Sequence, residues 1–180
     1  AVRAAVTDGI LGYEAPSKAL QEVVAARLDR LYGWQVPPQA VIAIPGVLSG
    51  ILAATLTFCK AGEGILIQPP VYPPFLSAPT ESNRRLLTLP LVRTEAGWGW
   101  DFAAADAVMK AARLFLLCHP HNPVGRAWHE DELWQLAALA EKHVLLGNAH
   151  VLEADVHMAM RRVVVTEHVH RADDLNALRV

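Results

Sequence analysis

The sequence is poor in cysteine: Cys59 and Cys118 are the only two in 180 residues. They sit in no metal-type or redox-type pair, and two cysteines make no disulfide framework. A reducing cytoplasm is therefore the expected setting. Charge of one sign is also missing. Sixteen Lys and Arg are interspersed with eighteen Asp and Glu, for a formal net charge of −2. With no basic stripe, nucleic acid is not the expected partner. No apolar run approaches the ~20 residues needed to span a membrane. No charged segment precedes an apolar stretch at the start, so the pattern of a signal peptide is absent, and a chain that starts on Ala1 reads as a piece of something longer. The glycine signatures of common sites are missing too. There is no G-x-G-x-x-G and no Gly-Lys-Ser/Thr, and Ser49 lacks the G-x-S-x-G frame. No internal repeat and no low-complexity tract appears.

What is present is an apolar, globular chain, 53% hydrophobic and 19% charged. A chain of this length buries roughly 70% of its unfolded surface. Pro16-Ser17 reads as a turn with Ser17 capping a helix. Leu20, Val23, Val24, Leu28 and Leu31 follow helical spacing, and Gly33 stops it. "AVIAIPG" (40–46) reads as a short strand, and "VLSGILAATLTFCK" (47–60), apolar nearly all round, as a buried helix. A second strand then runs into the proline-rich loop "QPPVYPPF" (68–75), and "RRLLTLPL" (84–91) is a third strand. Asp101 caps a helix over 102–111. "ARLFLLC" (112–118) reads as a strand covered on both faces, and 129–143 as an amphipathic helix with acids in its first turn. "VLLG" (144–147) reads as the next strand. Helices and strands alternate, which predicts an α/β fold: three layers, α/β/α, around a mostly parallel sheet. Beyond residue 147 the pattern weakens. The expected organisation is an N-terminal segment and helix (1–35), a large α/β part (36–147) and a divergent tail (148–180).

In open α/β sheets, ligands bind beyond the carboxyl ends of strands. Three polar turns follow strands in that manner: "PGVLSG" (45–50), "QPPVYPPF" and "HPHNPVGR" (119–126). The first reads either as a plain strand-to-helix turn or as a helix start offering backbone N–H groups to a phosphate. Tyr72 reads either as a surface aromatic in a polyproline-like loop or as a flat ring held for stacking. Asn122 either bonds its own backbone in an Asn-Pro turn or donates its amide to a ligand oxygen. His119 and His121, and His168 and His170, stand two apart. No acid or cysteine completes a familiar ligand pattern, so no metal is expected.

Together, "GILGYEAPSKALQEVVAARLDRLYGW", "PGVLSGI", "QPPVYPPF" and "LLCHPHNPVGRAWHEDEL" resemble the fold-type I pyridoxal-phosphate enzymes. Within class I/II aminotransferases they are most similar to the cystathionine β-lyase branch. The resemblance covers roughly residues 9–143 and rests most on "PVYPPF" and "HNPVGR-x-W". It implies a pyridoxal 5'-phosphate cofactor. Its phosphate would lie on the backbone N–H groups near Val47 and Leu48, its ring under Tyr72, and its phenolic oxygen at the Asn122 amide. Tyr13 looks like the tyrosine that reaches the phosphate of a neighbouring subunit, which implies a homodimer. The implied activity is carbon–sulfur β-lysis of cystathionine or another S-substituted cysteine, releasing thiol, pyruvate and ammonia. An aminotransferase of the same fold is the alternative.

The resemblance fails in two places. The family places an Asp against the pyridine nitrogen in a segment like "SDEIH", where this chain reads "KHVLLGNAHVLEADVHMAM". Asp155 or Asn148 would take that position, or both are tail residues with no cofactor role. Asp155 is preferred because its charge suits a pyridinium. The family also uses a lysine in an S-x-x-K context to form the resting Schiff base. Lys18, Lys60, Lys110 and Lys142 all lie outside such a context. The expectation is a fragment without that lysine, inactive alone, with a non-catalytic remnant or dimerisation module as the reading from another class.

Overall fold

A computed structural model describes residues 17–95, 97–143 and 146–148, and four isolated positions before them (Arg3, Val6, Thr7 and Gly9). The chain divides into two compact units, residues 1–43 and 44–180.

The first unit holds helix α1 (Lys18–Tyr32). Ser17 caps it, its hydroxyl oxygen accepting the Leu20 N–H at 3.2 Å. Gly33 ends it at φ 60°, in the left-handed region where glycine carries no Cβ penalty. A single 3₁₀ turn follows at Pro38–Ala40. The strand expected over 40–46 does not form. No described residue there pairs with another strand, and Ile42 stands 79% exposed. Short apolar runs do not by themselves distinguish a strand from an extended connection.

The second unit carries the sheet. Its elements are α2 (Val47–Phe58), β1 (Gly64–Ile67), α3 (Pro73–Glu81), β2 (Arg85–Thr88), β3 (Val92–Thr94), β4 (Gly97–Gly99), α4 (Phe102–Met109), β5 (Leu114–Leu116), α5 (Glu130–Lys142) and β6 (Leu146–Asn148). Four strands form one sheet in the order β2-β1-β5-β6, and every pairing is parallel. The hairpin β3–β4 stands apart as a two-stranded antiparallel ribbon, with Arg93 opposite Trp98 and stacked on its ring at 4.1 Å.

The central strands β1 and β5 are buried on both faces, and the alternation of side chains assigns each of their residues to one of them. Ile65 and Ile67 of β1, with Leu114 and Leu116 of β5, join Ile51 of α2 and Phe75 and Ala78 of α3 in one apolar cluster. Leu66 and Phe115, from the same strands, face the other way. They join Ala105 and Met109 of α4, Leu133 and Leu136 of α5, and Trp100 and Trp128. This is the expected three-layer α/β/α arrangement.

Two helices depart from expectation. The segment after Tyr72 is helix α3, not a loop. Pro73 and Pro74 occupy its first positions, where a missing N–H costs nothing and φ is already helical. Helix α2 is buried on one side only. Ile51, Ala54 and Thr55 are covered, while Leu48, Leu52 and Leu56 line an exposed stripe one turn apart. The sheet covers one side of a helix, so an all-round apolar sequence does not guarantee all-round burial.

Close packing at the start of β1 gives a testable consequence. A Cβ at Gly64 would lie 2.5 Å from Leu87 Cδ1 and 2.8 Å from the Ala111 carbonyl oxygen. The leucine tip can turn aside; the backbone oxygen cannot. Gly64→Ala is expected to destabilise the fold by about 1–3 kcal/mol, the usual cost of overpacking. A shift of the urea midpoint measures it.

Candidate functional site

Strands β1 and β5 are parallel neighbours, with Ile65 opposite Leu114 and Leu66 opposite Phe115. Their carboxyl ends therefore emerge side by side. β1 runs into the turn bearing Tyr72, and β5 into the turn bearing Asn122. Helix α2 ends just before β1 begins, so it runs back against the strands and its start points toward the same end. Val47, its first residue, packs against the cluster that includes Val71 and Cys118 from the two turns. The fold thus brings Val47, Leu48, Tyr72 and Asn122 to one end of one sheet.

At the start of α2 the chain turns at Gly46, with φ 136°. An L side chain is strained there, and glycine is not. The first backbone bond of the helix runs from the Gly50 N–H to the Gly46 carbonyl at 3.3 Å. The N–H groups of Val47, Leu48 and Ser49 precede it, so the helix itself supplies them no acceptor.

Tyr72 is the N-cap residue of α3 and is 41% exposed. Asn122 is exposed, and its side chain makes no hydrogen bond to another described residue. The self-bonded Asn-Pro turn is therefore not what forms. Only its backbone is held: the Asn122 N–H donates to Cys118 Sγ at 3.4 Å, and that thiol lies 3.6 Å from the Pro120 carbonyl. Burial pushes the Cys118 thiol up, so it stays protonated and serves as both acceptor and donor.

Behind these residues lies a buried polar layer whose residues the sequence displayed without revealing their use. The His121 N–H donates to the Arg126 carbonyl at 2.7 Å, and the Gly125 N–H to the His121 carbonyl at 2.8 Å, which closes the turn. His121 Nε2 lies 3.0 Å from the Pro70 carbonyl. His119 Nδ1 accepts the Trp128 N–H at 3.2 Å, and Trp128 Nε1 donates to the Cys118 carbonyl at 3.2 Å. Burial, and His121 beside it, push His119 down to about 4. Burial lowers His121 as well, against hydrogen bonds that favour its charged form. Both rings make hydrogen bonds that tie the turn to its neighbours.

Arg126 holds the turn from outside. Its guanidinium bonds the Trp98 carbonyl at 2.9 Å and pairs with Glu132 at 2.8 Å. Glu132 also accepts the His129 N–H at 2.8 Å, capping α5. One arginine thus connects the hairpin, the turn and the start of a helix. Sequence reasoning found "HNPVGR-x-W" as a motif without its basis: Trp128 bonds the strand end and Arg126 the surrounding elements.

Asn148 is the last residue of β6, in register with Leu116. Its backbone thus reaches the carboxyl end of the sheet one strand away from the Asn122 turn. Tyr13 and Asp155, like His168 and His170, lie outside the described residues. Lys60 lies in the turn after α2, at the other end of the sheet, beside an open cleft of about 560 Å³ that Arg84 and Arg113 also line. Lys142 pairs with Asp106 at 2.7 Å, between α5 and α4. No described lysine of this unit stands at the carboxyl ends of β1 and β5.

The donor set suits a flat phosphorylated ring: free amides at a helix start for an anion, an exposed aromatic face, and an amide without an internal partner. Residues 4–160 match the sequence model of the family Aminotransferase class I and II. Over 145 residues the chain is 31% identical to cystathionine β-lyase PatB of Bacillus subtilis (strain 168), covering 79% of this chain and 38% of that protein. Over 135 residues it is 32% identical to transaminase BacF of the same organism, covering 74% and 33%. A crystal structure of a PLP-bound protein from Clostridium difficile 630 superposes with a TM-score of 0.74 at 35% identity, covering 79% of this chain and 37% of that one. The chain therefore spans under two fifths of the length of these relatives. By the match over residues 4–160, it belongs to the class I and II aminotransferase family.

Proposed function

We propose that this chain is the phosphate- and ring-binding part of a pyridoxal-phosphate carbon–sulfur β-lyase. The observation that carries the proposal is the convergence of the α2 start, Tyr72 and Asn122 at the carboxyl ends of two adjacent parallel strands. Val47 and Leu48 would hold the phosphate through their N–H groups. Tyr72 would cover the ring. The Asn122 amide would donate to the phenolic oxygen, its backbone fixed by Cys118. Bound there, the cofactor would supply an electron sink for the α-carbanion of an amino acid, so that a β-lyase could expel a thiol from the β-carbon and water could release the remainder as pyruvate and ammonia.

The similarity to PatB and the motifs "PVYPPF" and "HNPVGR" support the lyase reading over transamination. The similarity to BacF keeps an aminotransferase as the second reading. Asp155 is the proposed partner of the pyridine nitrogen, since a carboxylate holds a pyridinium better than the neutral amide of Asn148. Tyr13 is proposed to serve the site of a second copy in a homodimer.

Two measurements test this. The 180-residue chain should bind pyridoxal phosphate reversibly, and borohydride should leave no stoichiometric adduct on Lys18, Lys60, Lys110 or Lys142. A stoichiometric adduct on one of them would show that a lysine of this chain reaches the cofactor. Expressed with whatever coding sequence flanks it, the protein should release pyruvate from cystathionine. Keto-acid exchange without pyruvate release would establish the aminotransferase instead.

A further inference from the structure

Beyond residues 67 and 116 strands β1 and β5 have ended, and the strand ladder no longer holds the Tyr72 and Asn122 turns together. Each is tied by backbone bonds of its own: the Leu91 N–H, from the segment after β2, reaches the Pro69 carbonyl at 2.7 Å, and the His121–Arg126 pair closes the Asn122 turn. Among the described residues, the side-chain hydrogen bond that crosses between them is His121 Nε2 to the Pro70 carbonyl, at 3.0 Å. Pro70 lies two residues before Tyr72, and His121 one before Asn122.

We propose that His121 is a positioning residue: its bond to the Pro70 carbonyl sets the separation between the Asn122 amide and the Tyr72 ring. This rests on the cofactor reading above. The geometry fixes the chemistry of the ring. A carbonyl oxygen accepts only, so Nε2 carries the proton. Nδ1, buried and without a partner, is then a bare lone pair, which is cheaper to bury than an unpaired N–H. Trp128 holds the ring from one side, edge to face, with centroids 5.3 Å apart. The side chain is 1% exposed, so it has no freedom to take another rotamer without displacing that tryptophan. An apolar residue would fill the space and lose the bond across the turns.

The test uses a ratio, because a ratio of two affinities is insensitive to the folded fraction. Wild type, His121→Phe, His121→Gln and Asn122→Ala are titrated with pyridoxal phosphate and with its 3-deoxy analogue, which lacks the phenolic oxygen. Wild type should prefer the hydroxylated ring, and Asn122→Ala should erase the preference. His121→Phe should cut it about fivefold, the worth of one ordinary hydrogen bond, and His121→Gln, which keeps an N–H near the Nε2 position, should retain most of it. Wild type without a preference, or an unaffected Asn122→Ala, would sink the cofactor reading and the inference with it. A preference lost in Asn122→Ala but intact in His121→Phe would overturn the inference alone. Where His121→Phe does not fold, nitrogen NMR of the wild-type histidines decides. The Nε2–H tautomer at His121 is expected, and the Nδ1–H tautomer overturns the bond on which the proposal stands.

Discussion

Lowering the pH from 7 to 4 is expected to cost this fold about 3 kcal/mol through one side chain, His119. The ring is 8% exposed, and burial with His121 nearby brings it from 6.5 to about 4. Its Nδ1 accepts the Trp128 N–H, and a proton on Nδ1 would break that bond. The unfolded chain takes up the proton near pH 6.5; the folded chain does not until about 4. Across that window the unfolded state binds more protons, so stability falls as the pH falls, and His119 adds nothing further below it. His121 acts in the same direction. Asp106 acts lower. Hydrogen bonds from Lys142 and His143 hold its carboxyl below the usual 3.8, so its contribution is lost only as the pH drops through that lowered value. Urea unfolding at a series of pH values measures the slope. His119→Asn keeps an acceptor for the Trp128 N–H and loses the titration, so its profile should be flatter between pH 6.5 and 4. A slope identical to that of wild type would show that His119 is not the group responsible.

Trp128→Ala is expected to destabilise the protein by about 3–5 kcal/mol, the cost of deleting a buried aromatic. Trp128 is 4% exposed. It packs on Trp100 with ring centroids 4.8 Å apart, meets the edge of His121 and lies under the Arg126 guanidinium at 5.0 Å. Its Nε1 bonds the Cys118 carbonyl where the strand ends. Truncation leaves that carbonyl without its partner and opens a cavity beside His121. Trp128→Phe keeps most of the ring volume and loses the hydrogen bond, for an expected cost of about 1–2 kcal/mol. Denaturant unfolding of the two variants checks both size and order. Equal losses would mean that the hydrogen bond matters and the ring volume does not.

Much of this was legible in the sequence. "ARLFLLC" read as a strand covered on both faces because a parallel sheet demands apolar residues at consecutive positions, and β5 alternates between two cores. Ser17, Gly33 and Asp101 gave correct helix limits because caps are local chemistry; the Asp101 carboxylate accepts the Ala104 N–H at 3.0 Å. Tyr72 and Asn122 were nominated from turns that follow strands, and the pairing of β1 with β5 brings those turns to one end. Val47 and Leu48 came from the family resemblance, and packing of the α2 start, with no strand before it, sets them there. The hairpin β3–β4 was not legible: three-residue strands give too short an alternation. Helix α3 was hidden by prolines, which suggest a loop yet suit a first helical turn. The strand expected at 40–46 failed because pairing depends on neighbours that no local pattern reveals. The link from His121 to Pro70 spans 51 positions, and nothing in either turn points to the other.

The most direct test of the candidate site is a map of backbone amide shifts on adding pyridoxal phosphate to the 180-residue chain. Shifts should gather at Gly46 to Ser49, around Tyr72 and around Asn122. Shifts gathered instead around Lys60, Arg84 and Arg113, at the opposite end of the sheet, or no saturable shifts at all, would contradict the placement of the site.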